Sequence, residues 1–84
     1  MINLIEVTRE RNVRSISINP DDISFIQENS VLTEEHHKEA IAGLNTEHRF
    51  STVVMRSGHS FTVVGSQEYL QEKITKSKKS LLLG

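Results

Sequence analysis

The sequence predicts an α+β domain: a small antiparallel sheet of about five strands, with an inserted helix and a C-terminal helix. Three observations carry this. Five short runs rich in β-branched and aromatic residues are separated by polar, turn-forming breaks. A histidine-bearing stretch between the third and fourth runs changes to helical spacing of its apolar positions. The last long segment starts at a serine, spaces its apolar residues by four and gathers lysines at its end.

The first run, INLIEVT (2–8), reads as a strand, and RERN (9–12) breaks it. VRSISI (13–18) alternates cleanly: Ile16 and Ile18 point one way, Val13, Ser15 and Ser17 the other. These two runs suit a hairpin. NPDD (19–22) is a turn signal, because proline presets φ and the Asn and Asp side chains bond nearby backbone. ISFIQ (23–27) follows as a third strand, ended by ENS. FSTVVMR (50–56) and SFTVVG (60–65) flank SGH, the clearest hairpin in the chain, with Gly58 as the site for positive φ. Val53 and Met55 share one face of it; Phe50, Thr52 and Val54 share the other. The pattern does not say which face is buried.

SQEYLQEKITKSKK (66–79) reads as the closing helix, with Ser66 as N-cap, Glu68 in the first turn and lysines toward the end favoured by the dipole. Leu70 and Ile74 form a narrow stripe, which predicts fraying near Ser77. The tail SLLLG (80–84) has no place in this core and is expected to meet a partner or hang loosely. The chain is thus one domain over 1–79, with a helical insert at 31–48 and a leucine-rich tail.

The insert holds TEEHHKEAIAGLNTEH (33–48), with three of the chain's four histidines. Thr33 suits an N-cap, and Glu34 and Lys38 stand four apart in the favourable order. His37, Ala40, Ile41 and Leu44 follow the i, i+3, i+4, i+7 rule, placing His37 on the apolar face and His36 in solvent. Adjacent histidines point about 100° apart on a helix, so they do not share a metal ion as histidines four apart do. His37, His48 and His59 are the metal candidates, and only the fold could unite them. The favoured reading is a plain amphipathic helix, with no resident metal or cofactor.

Length and composition bound the function. Eighty-four residues make one domain with a modest core. There is no cysteine, which excludes disulfides and thiolate metal sites and leaves oligomerisation as the expected support. A net charge of −1 gives no bulk attraction to nucleic acid or membrane. No apolar run approaches the roughly 18 residues of a membrane span, and MINLIEVTRE lacks the features of a signal peptide. The expectation is a cytoplasmic protein.

Catalysis has little support. Ser57, His59 and an aspartate of NPDD contain triad residue types, but no nucleophile elbow accompanies them, and turn residues beside glycine are the simpler reading. Arg9, Arg11, Arg14 and Arg56 are candidate contacts to an anionic ligand; Lys73, Lys76, Lys78 and Lys79 gather on the last helix. A solvated turn and a helix end with matching dipole explain the same charges.

MINLIEVT, ISINPDDISFIQEN and TVVMRSGHSFTVVGSQEYLQEKI together resemble the small FlbD family, with its swarming-protein relatives and similar phage-encoded proteins. Asn19, Ile23, Ile26, Gly58 and Ser66 fall where that family pattern puts them. The family passes directly from third to fourth strand, whereas VLTEEHHKEAIAGLNTEHR intervenes here. The resemblance implies a β-rich fold and no active site. The expected function is therefore a non-enzymatic, homo-oligomeric module binding a protein partner, with Ile41, Leu44, Leu81 and Leu82 as contacts. The alternative is a phage anti-defence type protein that sequesters a nucleotide or similar anion between subunits.

Overall fold

The computed structural model describes residues 1–83, with side chains described through Lys78. The order is β1 (Ile2–Val7), β2 (Val13–Ile18), a 3-10 turn (Pro20–Asp22), β3 (Ile23–Glu28), α1 (Ser30–Lys38), β4 (Phe50–Met55), β5 (Ser60–Val64) and α2 (Gln67–Leu83). The five strands form one antiparallel sheet in the order β2-β1-β5-β4-β3, the expected α+β class.

The sheet has to curl. β2 and β3 are its opposite edges, yet only residues 19–22 join them. At about 4.8 Å per strand spacing, flat edges would stand about 19 Å apart. A link containing a 3-10 turn, rising about 2 Å per residue, falls short of that. Accumulated right-handed twist closes the distance, and Ile18 and Ile26 from the two edges meet in one core. Asn19 fixes the link: its side chain accepts from Asp21 N–H, and Pro20 is buried at the first position of the turn.

Both faces of the sheet carry apolar clusters. Ile2, Leu4, Ile18, Ile26, Val53, Val63 and Leu70 make the larger one, with Ile74 packed against it. This is where α2 docks, through the predicted Leu70–Ile74 stripe. Val7, Ile41 and Phe50 make the smaller one on the opposite face, with Leu32, Leu44 and Val64 around it. The β4 pattern looked ambiguous because both its faces are used: Val53 and Phe50 are each fully buried, on opposite sides.

Gly58 caps the β4–β5 hairpin at φ +89°, as expected. α2 begins after Ser66, whose hydroxyl accepts from Tyr69 N–H. It does not fray at Ser77 but stays helical to Leu83, so the leucine tail continues the helix. The side chains of Leu81 and Leu82 lie outside the described residues.

The insert differs most from expectation. α1 starts at Ser30, with Asn29 rather than Thr33 as N-cap, and its side chain accepts from Leu32 N–H. Thr33 instead donates its hydroxyl to Asn29 O. The helix ends at Lys38, so residues 40–44, which set the predicted apolar face, are not helical at all. The inward face consists of Leu32, Thr33 and His36, spaced by three and four. His36 is therefore buried and His37 exposed, the reverse of the predicted placement.

Candidate functional site

His36 is the fully buried polar side chain of the insert. Its Nδ1 accepts from Ile41 N–H at 2.9 Å, so the ring hydrogen sits on Nε2, which donates to Asn45 O. Its ring meets Phe50 edge-on, 5.0 Å between centroids. Both nitrogens serve the chain itself: His36 ties α1 to the loop that follows. His48 also reaches Asn45 O, through Nδ1 at 3.2 Å. His59 leans on Phe61, 4.7 Å between centroids, in the other hairpin. His37, His48 and His59 are thus not brought together, and no three metal-capable side chains converge among the described residues.

The four arginines are dispersed as well. Arg11 pairs with Glu35 of α1 at 2.5 Å, clasping the β1–β2 turn to the insert. Arg14 pairs with Glu6 across the hairpin. Arg9 is exposed in the turn. Arg56 lines a shallow depression with Asp22, Ser57 and His59. That depression unites the triad residue types, but Ser57 Oγ accepts from His59 backbone N–H at 3.4 Å, not from its ring. Ile41, a predicted partner contact, is buried against Val7 and Phe50 in the chain's own core; Leu44 packs beside it.

Two features were not legible in the sequence. One is a cleft of about 490 Å³ between β1 and β5. These strands share a single ladder pair, Glu6 with Val63, and diverge beyond it. Leu4, Ile5 and Val64 line the cleft together with Arg49, Tyr69 and Lys73. Gly65 stands there at φ +131°, and a Cβ on it would lie 2.7 Å from the Tyr69 ring, so glycine permits this closeness. Arg49 also reaches Glu28, at 3.4 Å.

The other is an asymmetry between sheet edges. Thr8 N–H donates to Asn12 O at 2.8 Å. Counting from that bonded pair, β1 and β2 exchange hydrogen bonds at Glu6/Arg14, Leu4/Ile16 and Ile2/Ile18. The backbone groups of Val13, Ser15 and Ser17 then point away from the sheet. All three residues are exposed, and the β1–β2 ladder is regular over all six pairs. The β3 edge is different. A register irregularity interrupts it between Ile23 and Phe25, and Gln67 Nε2 donates to Ile26 O at 3.2 Å. One edge carries these devices; among the described residues nothing pairs with the other.

Beside the open edge, the face of β1 and β2 carries Ile5, 43% exposed, and Val13, 37% exposed, flanked by Asn3, Ser15 and Ser17. Ser17 hydroxyl donates to Asn3 Oδ1 at 2.7 Å, holding this polar flank in place. No helix of the described chain is long and apolar enough to cross a membrane. Compared with known proteins, the chain matches no family model, no curated protein and no solved structure.

Proposed function

We propose that the chain is a non-enzymatic binding module acting on a protein partner, bacterial or phage-encoded as the family resemblance implies. The observation that supports it is the β1–β2 strip: Ile5 and Val13 exposed together on a regularly paired hairpin, rimmed by Asn3, Ser15 and Ser17. An apolar centre with a hydrogen-bonding rim is the anatomy of a protein contact. Its small size suits a modest interface in which a few side chains carry the affinity. Native mass spectrometry of the protein purified from its own host, without added metal, tests the reading. A discrete protein partner is expected, lost on Ile5→Asp with Val13→Asp. A partner that survives both changes sinks the strip as the contact.

The cleft favours a second reading, capture of a nucleotide-like anion. Lys73 and Arg49 offer charge, and the Tyr69 ring offers a flat apolar surface. Within one copy these residues take the part expected of Arg9, Arg11, Arg14 and Arg56, which stay the candidate contacts for an anion held between subunits. An added mass of small-molecule size, removed by Lys73→Ala with Arg49→Ala, is its signature in the same spectrum.

A further inference from the structure

We propose that the chain forms a two-fold dimer through β2, each β2 pairing antiparallel with the β2 of a second copy so that two five-stranded sheets become one. The open edge is the starting point. Unpaired strand edges template further pairing, and proteins blunt them with bulges, prolines, charges or a covering side chain. The β3 edge has two such devices, the irregularity at Ile23/Phe25 and Gln67 on Ile26 O. β2 has neither bulge nor proline, and its one charge, Arg14, is paired with Glu6.

What fits this edge is β2 itself. Val13, Ser15 and Ser17 each offer one N–H and one C=O outward. Centre the two-fold axis on Ser15, and Ser15 exchanges both bonds with Ser15 of the second copy. Val13 then exchanges with Ser17 of the second copy, and Ser17 with its Val13. Every outward group finds a partner. Arg14 falls opposite Ile16 of the second copy, so like charges are not directly opposed, and each Arg14 keeps its own Glu6. The register also preserves faces: odd-numbered residues lie opposite odd-numbered ones, so both α2-covered faces stay on the same side. Ser15 and Ser17 of the two copies meet at the centre of that face, and the Ile5–Val13 strips flank them on either side. A chain this short gains from such a contact, having a limited core of its own.

The dimer is independent of the partner reading above: a partner can be lost with the dimer intact, and the reverse. Sedimentation equilibrium on the full chain, from micromolar to millimolar, is the test. The mass is expected to rise from the chain's 9.5 kDa to twice that. Ser15→Pro removes one outward N–H while leaving the β1 ladder bonded, and should keep the protein folded and monomeric over the same range. Where that variant unfolds, Ser15→Lys with Ser17→Lys is expected to weaken association at least tenfold without loss of fold. Amide exchange reads the same contact in the unaltered protein. The Ser15 and Ser17 amides should be fast at low concentration and protected at high concentration, with the Ile16 amide protected at both. A monomer at every concentration overturns the proposal. So does a dimer unmoved by the lysine pair, or a Ser15 amide whose exchange ignores concentration.

Discussion

Replacing His36 with alanine cuts the tie between α1 and the loop that follows it, and removes one contact of the insert with β4. The residue is fully buried, and Ile41, whose N–H it accepts, is 4% exposed. The change leaves that amide without an acceptor, at a cost of about 1–3 kcal/mol. Losing the edge-on contact with Phe50 adds about 0.5–1.5 kcal/mol. Asn45 is exposed, so water takes over its carbonyl and little is added there. The sum is about 3 kcal/mol, a large fraction of the roughly 4–13 kcal/mol that a domain of this length commands. At about 4–8 °C per kcal/mol, the melting temperature should fall by about 12–24 °C. Urea denaturation followed by circular dichroism measures the loss directly. His37→Ala is the matched control, since His37 is exposed, and should stay within about 0.5 kcal/mol. His36→Asn should recover more than His36→Gln, because an amide oxygen one carbon from Cβ lies near the Nδ1 position that accepts from Ile41. If His37→Ala costs as much as His36→Ala, or if glutamine outperforms asparagine, the hydrogen-bond account is wrong.

Asn29→Ala should destabilise by about 1 kcal/mol by leaving Leu32 N–H uncapped, read as a lower urea midpoint with unchanged slope. Gly65→Ala should cost about 1–3 kcal/mol, because φ +131° suits glycine and the new Cβ would press on the Tyr69 ring; thermal unfolding of the variant checks it. Zinc should leave the melting temperature unchanged, because His36 spends both nitrogens inside the chain and His37, His48 and His59 stand apart. A zinc-dependent rise would require a site that the described residues do not assemble.

Local chemistry was legible wherever it acts through sequence neighbours. The alternation in VRSISI, the Asn-Pro turn, the Ser-Gly hairpin tip and the Ser66 cap are all decided by residues within a few positions of one another, and all appear where expected. The insert shows where that logic stops. Its apolar spacing from His37 to Leu44 matched a helix, but Asn29 offered an earlier cap and Ile41 gained more by leaving the helix for the core beside Val7 and Phe50. That gain depends on a distant strand, so no local window contains it. The exchange of roles between His36 and His37 follows from the same shift.

By itself, then, the sequence determined the antiparallel sheet, its turns and the docking stripe of α2, because strand alternation and turn residues are local properties. Only the tertiary structure decided that β2 and β3 become the two edges, that Gln67 covers one of them, and that β1 and β5 part to leave a cleft. Those outcomes depend on which strands lie side by side, and pairing order is set by burial and chain connectivity across the whole sheet. The outward hydrogen-bonding groups of Val13, Ser15 and Ser17 exist as a surface only after that order is fixed.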